Sequence, residues 1–151
     1  MPVDTTFAGR VYPPGDVYVV SREKIREFAE ATGATHPAHV DPVAARALGY
    51  PDVVAPPTFA VVIAQRTEAQ YVDDPGAGID FSRVVHADER FTHHRPLHAG
   101  DRVVPTLHVD AVTVRGGLAM VTTRCELADE SGAPLASVVS TLAVRPEEGD
   151  A

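Results

Sequence analysis

The stretch that decides the fold is Thr58-Phe59-Ala60-Val61-Val62-Ile63-Ala64-Gln65-Arg66-Thr67-Glu68-Ala69-Gln70-Tyr71. Its first half is apolar on every side, and a helix of that kind belongs inside a protein rather than on its surface. The pair Pro56-Pro57 precedes it, and a loop rich in Asp and Gly at 73–78 ends it. The sequence therefore predicts a long central helix over residues 58–71 that other elements enclose.

Beyond this helix the pattern changes to an alternation of apolar and polar side chains. Such alternation is typical of antiparallel strands that bury one face. Glycine-containing connections at 115–117 and 130–132 are short enough for hairpins. We predict four strands, at residues 84–95, 102–114, 118–129 and 134–144. Cys125 shares an apolar face with Val121 and Leu127, so we expect a buried structural thiol.

Two shorter helices and a short strand are predicted ahead of the central helix. Ser21 is placed to cap a first helix that Gly33 ends. A second is marked by Asp41 as cap, by Pro42 at its first position and by Gly49 just beyond its end. The short strand precedes both helices, at residues 17–20.

These elements indicate an α+β fold. One apolar helix followed by four antiparallel strands can be buried only if the sheet wraps around it. A length of 151 residues fits a single domain, which we place at residues 1–146, with an acidic, frayed tail at 147–151.

Composition and charge exclude several classes of function. The net charge of −8 and the pI of about 5.2 disfavour nucleic acid and anionic lipid as partners. The single cysteine cannot form an internal disulfide. Neither a signal-peptide pattern nor an apolar run of membrane-spanning length is present. We therefore expect a cytoplasmic protein without a membrane span.

Three segments carry a family resemblance: Thr32-Gly33-Ala34-Thr35-His36-Pro37-Ala38-His39-Val40-Asp41, the approach to the central helix at 48–59, and Phe91-Thr92-His93-His94-Arg95-Pro96-Leu97-His98-Ala99-Gly100-Asp101. The first resembles the Ser/Thr-Gly-Asp-x-Asn-Pro-x-His signature of the MaoC-like, or hydratase 2, family. Order and spacing are similar to those of the family, which implies a single hot-dog fold. Residues 21–29 resemble the N-terminal-type subgroup, which includes substrate-holding subunits of actinobacterial (3R)-hydroxyacyl carrier protein dehydratases.

The resemblance implies a hydro-lyase that acts on (3R)-hydroxyacyl thioesters of acyl carrier protein or coenzyme A, with no metal or redox cofactor. Removing water from such a substrate needs a base near C2, an acid near the C3 hydroxyl, and donors aimed at the thioester oxygen. In the family, the signature His and Asp and the backbone amides at the start of the central helix supply these groups.

The signature of this chain keeps one of these groups and lacks another. His39 stands at the family His position and is our first candidate for a catalytic base. Ala34 stands at the position of the acidic partner and cannot donate a proton. His36 replaces an Asn and is a second catalytic candidate, as a substitute acid. The alternative for both histidines is that they cap or brace the turn, since a His near Pro and Gly often bonds a backbone carbonyl.

The approach to the central helix departs from the family as well. Pro56-Pro57 occupies the place of a His-Gly pair whose glycine amide is implicated in holding the thioester carbonyl, and proline has no N–H to give. We assign substrate binding to Ala55, Pro57, Thr58 and Phe59, with Thr58 or the region of Ala55 as the substitute donor. Phe59, Val62 and Ile63 line an acyl tunnel or belong to the core.

Three further histidines, His93, His94 and His98, cluster near a strand end. No carboxylate or cysteine completes a recognisable ligand spacing, so we interpret them as a solvated face and predict no metal site.

The missing acid at Ala34 and the missing amide at Pro57 indicate that this chain works together with a partner subunit. We expect a dimer, either with itself or with a sister hot-dog subunit that has an intact Asp/His pair. The alternatives are a non-catalytic acyl-thioester-binding or stabilising subunit, which Ala34 and Pro57 favour, and a hot-dog thioesterase. A thioesterase would need a carboxylate or another water-activating group near the start of the central helix, where Asp52 and Glu68 are poor candidates by position.

Overall fold

The elements follow the predicted order in the computed structural model, which describes residues 1–149. The helices and strands of that part of the chain are β1 (Tyr18–Val19), α1 (Arg22–Thr32), α2 (Pro42–Ala47), α3 (Ala60–Val72), β2 (Val84–His93), β3 (Arg102–Arg115), β4 (Leu118–Asp129) and β5 (Pro134–Val144). Short 3₁₀ turns lie at Thr5–Phe7, Pro37–His39, Pro57–Phe59 and Phe81–Arg83.

The strands form one antiparallel sheet in the order β1-β3-β4-β5-β2. Helix α3 packs across β3, β4 and β5, and Ile63, Ala64 and Tyr71 on its inner side are buried. The sheet curls around this helix, as the apolar stretch predicted. The chain thus has the α+β hot-dog fold, with β2 at one edge of the sheet.

The start of the central helix differs from the prediction. Residues Pro57–Phe59 form a 3₁₀ turn, and the α-helix proper begins at Ala60 and continues to Val72. Tighter 3₁₀ turns are frequent at helix ends, and two consecutive prolines supply no N–H for a regular first turn. Neither the turn nor the helix has a side-chain cap.

Strand β2 ends at His93, two residues earlier than predicted. The N–H groups of His94 and Arg95 both approach the carbonyl of Leu135, at 2.9 and 3.4 Å, so the ladder converges on one acceptor there. The first strand is also shorter, at Tyr18–Val19. The bounds of β4 and β5 agree with the prediction to the residue.

The predicted caps of α1 and α2 are confirmed. Ser21 Oγ accepts from Lys24 N at 3.1 Å, and Gly33 adopts a φ of 72°, which favours glycine. Asp41 Oδ1 accepts from Val43 N at 2.9 Å. These two capped helices place the turn 33–41 between them.

Cys125 is a buried thiol on the inner face of β4, as predicted. Burial raises its pKa to about 12, so the thiolate that nucleophilic chemistry requires is disfavoured.

Glu147, in the predicted tail, contacts the body of the protein. Glu147 accepts hydrogen bonds from the N-terminal amine of Met1 at 3.2 Å and from Arg83 Nη2 at 3.3 Å. Residues 150 and 151 of the predicted tail 147–151 lie outside the described residues, and the division into domain and tail stays a prediction. Within residues 1–149, no helix is both long and apolar enough to span a bilayer.

Candidate functional site

His39 ends the 3₁₀ turn Pro37–His39 and points its ring at the segment that leads into the central helix. Its Nδ1 lies 2.6 Å from the carbonyl oxygen of Val54. Because a carbonyl can only accept, Nδ1 carries the proton and donates, which leaves the lone pair on Nε2. The half-buried ring is therefore held in the tautomer that a general base needs.

The turn that carries His39 is fixed to the same segment through its backbone. Val54 N donates to Ala38 O at 3.0 Å, and the side chains of Ala38, Ala45 and Val54 form a small buried cluster against Tyr50. The turn that carries His39 and the segment that carries its acceptor are thus packed together.

His36 occupies a different position. Its side chain is exposed, and its Nδ1 accepts a hydrogen bond from Ala38 N at 3.1 Å, which caps the 3₁₀ turn. The centroids of the two imidazoles are 6.2 Å apart. A protonated His36 would lose this acceptor and with it the cap. His36 thus caps the turn by accepting from an N–H rather than by bonding a carbonyl, and its role as an acid stays a prediction.

Backbone pairing occupies one of the two amides that we proposed as substitute donors. Ala55 N donates to Leu97 O at 2.8 Å, and Ala99 N donates to Val53 O at 3.0 Å. The segment 53–55 is therefore paired with the loop that follows β2. The amide of Ala55 is used structurally, which leaves Thr58 as the donor to consider.

Thr58 carries the first backbone N–H of the helix start, because Pro56 and Pro57 have none. Among residues 1–149, no group accepts a hydrogen bond from this N–H. Thr58 is exposed, whereas Phe59 is fully buried, with its ring 5.5 Å from that of Phe28 in an edge-on arrangement. Phe59 is thus a core residue, and Thr58 presents the free amide.

His93 reaches the same helix start from the inner face of β2. Its Nε2 lies 2.7 Å from the carbonyl oxygen of Pro57, and its ring stacks on Phe91 with an interplanar angle of 5°. The expectation of a solvated face is wrong for His93, which is half-buried. The alternation along β2 could have predicted this position, because it places His93 on the same face of the strand as the partly buried Phe91.

The other two histidines of that group have different surroundings. His94 is exposed, and His98 lies near the Ala99 carbonyl, at 2.9 Å from its Nδ1. Within the described part of the chain, no group of three or more His, Cys, Asp or Glu side chains is arranged to hold a metal ion.

A buried carboxylate anchors the loop that pairs with the segment 53–55. Asp101 is 6% exposed and accepts from both terminal nitrogens of Arg95, at 2.8 and 2.9 Å, and from His98 N at 2.9 Å. The hydrogen bonds from Arg95 to Asp101 raise the pKa of Arg95 above its ordinary value. The ion pair holds in place the loop that positions Val53 and Ala55.

The carboxylates considered for a thioesterase are engaged elsewhere. Arg22 donates two hydrogen bonds to Asp52, at 2.9 and 2.8 Å, and these lower the pKa of Asp52 to about 2. Such a carboxylate is a weak base. Glu68 accepts from Thr123 Oγ1 at 2.6 Å, about 15 Å along the helix from Thr58. Asp52 is therefore too weak a base, and Glu68 too far along the helix, to activate water at the helix start.

Open space lies along the outward side of α3. A cavity of about 540 Å³ is lined by residues that include Tyr18, Lys24, Val62 and Arg66. Of the three residues considered for an acyl tunnel, Val62 borders this space, whereas Phe59 and Ile63 are buried in the core.

Solved structures of dehydratases have a fold similar to that of this chain. The fold is similar to that of a crystal structure described as the C-terminally truncated HadBC (3R-hydroxyacyl-ACP dehydratase) complex from Mycobacterium tuberculosis, at TM-score 0.82 and 32% identity over 95% of this chain and 99% of that chain. A structure named MaoC-like dehydratase matches at TM-score 0.85 and 28% identity, over 93% of this chain and 43% of that one.

The family is shown by sequence as well. Residues 6–138 match the model of the FAS1-like dehydratase domain region. A UPF0336 protein of Saccharopolyspora erythraea is 49% identical over 156 residues, which cover 100% of both chains. The chain belongs to this FAS1-like dehydratase family, within the MaoC-like branch of the hot-dog fold.

Proposed function

We propose that this chain is one subunit of a (3R)-hydroxyacyl thioester dehydratase, or (R)-specific enoyl hydratase, that pairs with a sister hot-dog subunit. Family membership and the dehydratase neighbours support this reaction class. The similarity to a subunit complex supports a hot-dog partner. The acyl group would be carried on acyl carrier protein or coenzyme A.

The observation that carries the proposal is the hydrogen bond from His39 Nδ1 to the Val54 carbonyl. It leaves Nε2 as a base that can take the C2 proton of the substrate. The free amide of Thr58, at the positive end of α3, can then stabilise the negative charge that develops on the thioester oxygen.

The same site lacks a proton donor for the departing C3 hydroxyl. Ala34 has only a methyl group where the acid is expected, and His36 is exposed and engaged as a cap. The hydroxyl leaves as water only when it is protonated, so the acid has to come from elsewhere. A sister subunit with the complete Asp/His pair would supply it.

The second candidate is a subunit that holds the acyl thioester without catalysing the reaction. Ala34 and Pro57 support it, because they remove an acid and an amide from this chain. In that case the sister subunit would carry the whole reaction, and His39 would serve only to brace the turn.

One experiment separates these candidates. We expect the purified chain alone to hydrate crotonyl-CoA very slowly, and the complex with a sister subunit that bears the complete signature to be active. His39→Ala in this chain should lower kcat of the complex by about a hundredfold or more if His39 is a base. The control is His94→Ala, which removes an exposed imidazole outside this turn.

The outcomes have separate meanings. Full activity of the His39→Ala complex would exclude catalysis by His39 and favour the holding subunit. Strong activity of the chain alone would remove the need for a sister subunit. An inactive complex with every sister subunit that bears the signature would contradict the proposed function itself.

A further inference from the structure

We propose that His93 is a positioning residue for this reaction, which aims the Thr58 amide at the thioester oxygen by holding the carbonyl of Pro57. The inference rests on the proposed function. It assigns a role to a side chain that lies outside the signature turn, on strand β2.

The first step is that the helix start has few anchors of its own. Pro56 and Pro57 have no N–H, and neither the 3₁₀ turn Pro57–Phe59 nor helix α3 has a side-chain cap. Phe59 N donates to Pro56 O at 2.9 Å, which holds the carbonyl before Pro57. His93 Nε2 holds the next carbonyl, at 2.7 Å.

The second step is the geometry of one peptide group. The carbonyl of Pro57 and the N–H of Thr58 belong to the same planar unit, and in a trans peptide they point in opposite directions. A side chain that fixes the carbonyl therefore fixes the direction of the N–H. Accepting a hydrogen bond also polarises the amide and makes its N–H a stronger donor.

The third step is that the imidazole is itself held firmly. Its ring stacks on Phe91, and both residues belong to β2, which is paired with β5 along its length. Donation to a carbonyl requires the proton on Nε2. His93 Nδ1 is then a buried acceptor with no partner among the described residues. Such an atom is unfavourable, so packing alone does not explain a histidine here.

The two imidazoles thus hold the two ends of one short segment. His39 donates to the carbonyl of Val54, and His93 donates to the carbonyl of Pro57. In this arrangement His39 offers its free Nε2 as the base, while His93 orients the amide that faces the developing oxyanion.

The test compares His93→Phe with His93→Gln in the complex with the sister subunit. Phenylalanine keeps a ring against Phe91 but has no donor, whereas glutamine can place an N–H near the position of Nε2. We expect His93→Phe to lower kcat for crotonyl-CoA hydration about tenfold with little change in KM, because a misaligned oxyanion donor acts on the transition state. His93→Gln should restore most of kcat.

The control is His94→Phe, at the exposed neighbouring position, together with the melting temperature of each variant. If the role of His93 were purely structural, His93→Phe would lower the melting temperature without a selective fall in kcat at unchanged KM. A His93→Phe complex with kcat within twofold of wild type would overturn the inference, as would a folded His93→Gln complex that is as slow as His93→Phe.

A second measurement keeps this inference distinct from the proposed function. The amide resonance of Thr58 in the ¹⁵N spectrum of the chain alone should move in His93→Phe and return toward its wild-type position in His93→Gln. An unmoved resonance would contradict positioning by His93, whatever the activity. A moved resonance together with an inactive wild-type complex would support the positioning and reject the dehydratase assignment.

Discussion

Glu68 is a buried carboxyl on the central helix α3. It is 5% exposed and accepts a hydrogen bond from Thr123 Oγ1. Burial raises its pKa from the ordinary value of 4.5, and the nearby Glu89 raises it further, while Thr123 and His86 act in the opposite direction. The folded protein therefore retains the Glu68 proton to a higher pH than the unfolded chain does.

This residue predicts a specific pH dependence of stability. Above pH 4.5 the unfolded chain loses the Glu68 proton first, so stability falls as the pH rises toward the folded pKa of this group. Glu68→Gln keeps an oxygen for Thr123 and cannot ionise. We expect the melting temperature of Glu68→Gln to exceed that of wild type by an amount that grows as the pH rises above 4.5 and levels off above the folded pKa of Glu68, about 3 °C for each kcal/mol of penalty removed.

Differential scanning calorimetry across that pH range measures the difference. Glu148→Gln, at an exposed position, corrects for the loss of one negative charge. A difference between Glu68→Gln and wild type that stays constant with pH would show that folding does not raise the pKa of Glu68.

At the scale of elements, the loop between β2 and β3 organises the site. It pairs with the segment 53–55 through Leu97 and Ala99, and with the strand region at Val20 through Gly100. Asp101 and Arg95 close this loop with a two-point ion pair. The carbonyl that orients His39 thus depends on a loop far away in sequence.

Removing the carboxylate should loosen the loop. Asp101→Ala leaves Arg95 without its partner and the His98 N–H without its acceptor. We expect the free energy of unfolding to fall by about 2 kcal/mol, as for hydrogen bonds to charged groups. The cost is below that of a fully buried pair, because the Arg95 side chain is 40% exposed and can turn to water. Urea denaturation measures it.

The matched control is Asp88→Ala, which breaks an ion pair with Arg90. In this pair the Asp88 side chain is 50% exposed and the Arg90 side chain 75% exposed. Surface pairs of this kind contribute at most about 1 kcal/mol. Equal losses in the two variants would refute a special role for the Arg95–Asp101 pair.

At the scale of the whole molecule, edge strand β2 offers a surface on which a partner subunit could pair. It spans ten residues at one edge of the sheet, and its outer side faces no other strand among residues 1–149. Val85 on this strand is 49% exposed. A long edge strand with unpaired backbone groups is a template for pairing with another sheet. We propose that partner subunits meet here, edge to edge.

A lysine on this edge should hinder such pairing. We expect Val85→Lys to raise the dissociation constant of the homodimer, or of the complex with the sister subunit, at least about tenfold. This corresponds to about 1.4 kcal/mol of binding free energy. Sedimentation equilibrium gives the dissociation constant. Val114→Lys, at a position 44% exposed near the β3–β4 hairpin, is the control. Equal effects of the two lysines would place the interface elsewhere.

The sequence by itself determined the elements and their order. The caps at Ser21 and Asp41, the central helix and the hairpins on either side of β4 were all predictable, because capping, periodicity and turn chemistry are local. The apolar helix followed by alternating strands then required a sheet wrapped around it, and the signature around His39 indicated the family.

Only the tertiary structure decided what the site residues do. His39 contacts a carbonyl 15 residues away and His93 contacts one 36 residues away, and the amide of Ala55 is occupied by a loop that follows β2. No spacing rule specifies which carbonyl an imidazole meets, because that depends on how distant segments pack. The tautomer of His39, the inward position of His93 and the free amide of Thr58 therefore follow from packing, whereas the residue types follow from the sequence.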